Sequence, residues 1–63
     1  MAVEDVQNKL LKVEHVAEML DMHAETIRRM VRAREIPHLR IRGQIRIRAA
    51  ALEVYLRKKE IAA

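Results

Sequence analysis

Sixty-three residues with net charge +4, 51% apolar side chains, a single aromatic (Tyr55) and no cysteine bound one small domain with one small core. Without cysteine there is no disulfide or thiolate metal site, and without exposed rings the stacking mode of single-strand recognition is excluded. His15, His23 and His38 share no ligand spacing, Glu4 and Asp5 stand where a secretion signal needs cations, and no apolar run nears a membrane span, so no metal, cofactor or membrane is expected and the chain reads as intracellular.

In chain order, residues 1–9 are polar and unpatterned, an expected flexible arm, and Leu10-Leu11 is a short apolar lead-in. Val13, Val16, Ala17, Met19 and Leu20 follow helical spacing and predict a first helix over 13–20. Asp21-Met22-His23 reads as a tight turn. A second helix starts near Ala24, with Ile27, Met30 and Val31 as its buried stripe and Glu25, Thr26, Arg28, Arg29 and Arg32 facing away. Pro37 disfavours helix at Ile36, so this helix should end near Arg34. From His38 the period becomes two. Leu39, Ile41, Ile45 and Ile47 are expected on one face of a hairpin, Arg40, Arg42, Arg46 and Arg48 on the other, with Gly43 at the tip where φ > 0 is needed. A third helix follows over about 50–61, with Leu52, Tyr55, Leu56 and the stem of Lys59 turned inward. Met19, Met22 and Met30 are read as core filler. The domain is placed at residues 10–57, and 58–63 as a basic tail.

Charge is polarised along this order. Residues 24–48 carry eight arginines against Glu25 and Glu35, a net +6, while residues 1–23 carry −3. Arginine's planar fork suits phosphate oxygens and guanine edges, so nucleic acid is the first partner to consider, with a solvated basic face as the plain alternative. No nucleophile, base and orienter can be assembled and no phosphate-cradling glycine loop occurs, so an enzyme is not expected. Two short helices joined by a three-residue turn, the second rich in arginine and followed by an arginine-studded hairpin, form a winged helix-turn-helix, an α+β, mainly α fold of three helices and a two-stranded wing.

The ordered set Leu10-Leu11-Lys12-Val13-Glu14-His15-Val16-Ala17-Glu18-Met19-Leu20, Thr26-Ile27-Arg28-Arg29-Met30-Val31, Glu35-Ile36-Pro37, Arg40 to Arg48, and Ala51-Leu52-Glu53-Val54-Tyr55-Leu56 resembles the small phage-type excisionase and MerR-like winged-helix domains. The resemblance covers residues 10–56. It implies double-stranded DNA as partner, Thr26, Arg28, Arg29 and Arg32 as helix contacts in the major groove, and Arg42, Gly43, Gln44 and Arg46 as wing contacts. It further implies a bacterial host cytoplasm and its nucleoid, and a bare domain of excisionase type, a recombination directionality factor that bends DNA and steers a phage integrase toward excision. The opposed charges of residues 1–23 and 24–48 add the expectation of cooperative head-to-tail loading on adjacent sites. A small MerR-like transcriptional regulator using the same contacts is the near alternative; a protein-interaction module with a basic docking face is the remote one. This chain departs from its relatives at Lys12, Asp21, His23 and Arg48-Ala49-Ala50-Ala51, where polar caps or a turn glycine are usual. Each missing N-cap costs about 0.5–2 kcal/mol, so stability is affected before DNA binding is.

Overall fold

A computed structural model describes residues 9–61. The expected N-terminal arm lies, but for Lys9, outside them, as does the end of the expected tail, Ala62-Ala63. The elements run β1 (Leu10–Lys12), α1 (Val13–Leu20), α2 (Ala24–Arg32), β2 (Leu39–Ile41), β3 (Gln44–Arg48) and α3 (Ala49–Lys59).

Helix α1 buries Val13, Val16 and Ala17 along one stripe and stops at Asp21, which takes the left-handed conformation at φ 56°. The Asp21 and Met22 amides donate to the carbonyls of Glu18 and Ala17 at 3.2 and 2.8 Å, closing the helix end without glycine. Aspartate tolerates this geometry better than most residues. Helix α2 buries Ile27 and Val31 and ends at Arg32, two residues short of expectation. Its end is wrapped by Arg34, another left-handed residue (φ 61°), with the Arg34 and Glu35 amides donating to Val31 and Met30 carbonyls, each at 3.0 Å. That reversal carries Ile36 into the core, where it is fully buried. Lys12, His23 and Arg48 stand at the three N-caps and none makes a side-chain capping bond.

The sheet corrects the expected two-stranded wing. Leu10–Lys12 is a strand, antiparallel to β3 with Leu11 opposite Ile47, so three strands lie in the order β1-β3-β2. The Ala49 amide extends the pairing to the Lys9 carbonyl at 2.9 Å. The strand was missed because three residues are too few to display an alternation.

The expected faces of the hairpin are corrected as well. Arg42 and Gly43, both at positive φ (52° and 82°), form a two-residue turn of the type that matches strand twist, and pair Ile41 with Gln44, Arg40 with Ile45 and Leu39 with Arg46. A two-residue loop always sets odd-numbered positions opposite even ones. Leu39 and Ile41 therefore share a face with Gln44 and Arg46, while Arg40 shares the helix-packed face of Ile45 and Ile47. Ile41 is accordingly 46% exposed and Ile47 fully buried.

The core is Leu11, Val13, Val16, Ala17, Ile27, Val31, Ile36, Ile47 and Leu52, drawn from every element except β2. Met30, Leu20, Ile45 and Tyr55 pack at its margin. Met19 and Met22, expected as filler, are 62% and 42% exposed, and Leu56 is at the surface. Val13, Val16, Ala17 and Leu20 form the inward stripe of α1, and at about 100° per residue Met19 falls outside it. Two helices joined by a three-residue turn, a wing beside the second, and a third helix closing the core make a winged helix-turn-helix.

Candidate nucleic-acid interface

The polar face of α2 is organised by carboxylates. Arg28 is held between two acids, its Nη2 donating to Glu14 of α1 at 3.0 Å and its Nη1 lying 3.8 Å from Glu25. Arg32 donates through Nη2 to the other oxygen of Glu25 at 3.1 Å. The Arg32 hydrogen bond, helped by the charges of Arg32, Arg28 and Arg29, holds the Glu25 carboxyl below its ordinary value. Glu25 thus aligns two guanidiniums. These pairs are exposed, and such pairs contribute only about 0–1 kcal/mol, so exchanging them for a new anion costs little.

The wing arginines are positioned from within their own strands. Arg46 donates through Nη2 to the Gln44 side-chain oxygen at 2.8 Å and through Nη1 to the Ile45 carbonyl at 2.9 Å. Arg40 reaches the Gly43 carbonyl at 3.4 Å. Among the described residues no carboxylate lies within ion-pair distance of Arg29, Arg34, Arg40, Arg42, Arg46 or Arg48.

Of the residues singled out in the sequence, Arg28, Gly43, Gln44 and Arg46 come together around one open groove of about 350 Å³ between α2 and the wing, with Lys12, Val13, Glu14 and Ile45 completing its walls. Arg42 lies on the outer side of the sheet, in a shallow cleft with Leu10, Ile41, Gln44 and Arg46. Arg32 belongs to a third opening, with Val31, Arg34, His38 and Arg40. Thr26 is half-buried on α2 and Arg29 exposed, and neither lines these openings. Lys12 and Glu14 were not anticipated, since nothing local in the sequence places the first turn of α1 against α2 and the wing. Arg34 and Arg40 stood in the arginine run, but their placement depends on a left-handed residue and on the hairpin register.

No group of His, Asp and Glu suited to a metal occurs among the described residues, and no described helix is long and apolar enough to cross a membrane. Residues 10–60 match a family model described as a helix-turn-helix domain, a family that includes excisionase-like DNA-binding proteins. No curated protein and no solved structure matches the chain.

Proposed function

Since this chain belongs to the helix-turn-helix domain family, we propose that it binds double-stranded DNA at specific sites and bends it, acting as an excisionase that turns an integrase toward excision. The observation that carries DNA binding is the shared groove in which Arg28 of α2 and Gly43, Gln44 and Arg46 of the wing face one another. A nine-residue helix is about 13 Å long and, with side chains, about 10–12 Å across, which fits a major groove about 12 Å wide. With α2 seated there, Thr26 and Arg29 meet base edges, Arg28 and Arg32 meet bases or the adjoining phosphates, and the wing tip with Arg42 and Arg46 rides on the backbone beside it. The fork of Arg28 is already held by Glu14 and Glu25, so less side-chain freedom is lost on docking.

The excisionase role rests on the resemblance of residues 10–56 to that group. Bending follows from copies loaded side by side, each deflecting the duplex locally at a cost that depends on its sequence. Two measurements test the reading. Anisotropy titrations with duplex DNA at several salt concentrations should give an affinity that falls linearly on logarithmic axes as counterions are released. Footprinting across the attachment region of the encoding element should show adjacent protected sites. Binding that ignores salt or is absent removes the DNA reading; protection confined to a promoter replaces the excisionase with a regulator.

A further inference from the structure

The hairpin register has a chemical result beyond the wing. It turns Arg40 away from the outer face, where Arg46 lies, toward the side of the sheet that packs on the helices. There, at the C-terminal end of α2, Arg32, Arg34, His38 and Arg40 line an open cleft of about 430 Å³ floored by Val31. Three guanidiniums line it, and only Arg32 has a carboxylate partner among the described residues. Among the described residues no acid and no amide side chain lines the cleft, and its three guanidiniums place three positive charges around one opening, which suits an anion.

The backbone adds a second observation. Arg34 holds a left-handed φ of 61°, at the position that ends α2 and where glycine is the ordinary residue. An L side chain there is strained, yet this one projects from the helix end into the cleft's lining. A plainer role for arginine at a helix C-terminus is to complement the helix dipole. That dipole amounts to about half a charge, against three full charges here, and the carbonyls of Arg29, Val31 and Met30 in the last turn already accept backbone amides from Ala33, Arg34 and Glu35.

We propose that Arg34 and Arg40, with Arg32 and His38, form a phosphate seat that grips the duplex backbone beyond the C-terminal end of α2. This rests on the DNA-binding reading above. The groove holding Arg28 and Arg46 and this cleft then hold the duplex at two separate points along α2, so the helix is fixed in orientation as well as in depth. Phosphate contacts of this kind position a protein without reading sequence.

Arg34→Gly, Arg40→Ala and the double variant separate the possibilities. On a specific and a random duplex alike, each single variant should reduce the steepness of the logarithmic salt dependence by about one unit, and the double by about two. Arg34→Gly should at the same time raise the melting temperature, because strain is relieved. Unchanged salt slopes in the cleft variants, with wild-type binding intact and Arg46→Ala weakening it, overturn the seat while leaving the DNA reading standing. A lower melting temperature for Arg34→Gly with an unchanged slope assigns that arginine to the helix dipole instead. A wild-type chain that binds no duplex overturns both. Sodium pyrophosphate distinguishes the phosphate's source: arginine and His38 resonances that shift at micromolar pyrophosphate with no DNA present assign the cleft to a free phosphate and overturn the backbone assignment.

Discussion

Arg28 touches one acid from α1 and one from its own helix, and Glu25 is the hinge of that network. The Glu25 carboxyl is held low by the Arg32 hydrogen bond, so the pairing favours the fold above the ordinary carboxylate range and is lost as pH falls through the lowered value. In Arg32→Ala the Glu25 titration, followed by carboxyl carbon NMR, should move back up toward its ordinary value; no movement would assign the shift to Arg28 and Arg29. Arg29 has no acid partner among the described residues and is exposed one turn after Thr26. Arg29→Ala should cost roughly 1–3 kcal/mol on a specific site and less on random duplex. Equal losses on both would make it a phosphate contact. At this scale the sequence was partly legible. Asp21 could be read as left-handed because its short side chain tolerates it and Gly43 because it has no side chain, whereas Arg34 and Arg42 have chemistry that argues against it, and only the helix-closing bonds at Arg34 and the strand pairing around Arg42 reveal it.

The element scale separates what periodicity reports from what it does not. Helix α1 spans the residues expected, and α2 and α3 lie within two residues of expectation, because stripes such as Ile27 and Val31 repeat at helical spacing. Strand faces were misassigned because alternation along each strand says nothing about how the two align; the length of the turn decides that. Ile36 was read only as the residue before a proline, and its burial follows from the chain reversal at Arg34. In the interface, the groove's wing residues and Arg28 were legible as charge on two neighbouring elements, but Lys12 and Glu14 enter it through tertiary packing alone. The weak caps were legible in full, and they define a change that should stabilise. With Arg48 at the N-cap and Ala49 opening α3, Arg48→Ser with Ala51→Asp supplies a cap and an acidic first turn. About 1 kcal/mol for the cap and about 0.3–1 kcal/mol for the charge are expected. In a domain this small each kcal/mol moves the melting temperature by about 4–8 °C. Calorimetry showing no rise would mean that loss of Arg48 from the end of the central strand offsets the cap.

For the whole molecule the governing feature is the separation of −3 in residues 1–23 from +6 in residues 24–48. The long dimension of 38 Å is close to one duplex turn of about 34–36 Å, the spacing at which the proposed head-to-tail loading would bring copies into contact. Sedimentation should find monomers without DNA, and titration of adjacent sites should be cooperative, with cooperativity falling as salt screens acid against base. Circularly permuted probes should migrate as bent when fully occupied; straight probes would leave cooperativity without architecture. The sheet order has its own consequence for how the chain assembles in time. β3 is the shared strand: two residues join it to β2, while its pairing with β1 brings Leu10–Lys12 against Arg46–Arg48 across both intervening helices. A hairpin closes in about 1–10 μs, but β1 must wait until both intervening helices have folded back. The expected order is therefore hairpin first and β1 last, with opening in reverse. In hydrogen exchange the amides of β1 should lose protection before those shared by β2 and β3, making the first strand in sequence the last to be secured.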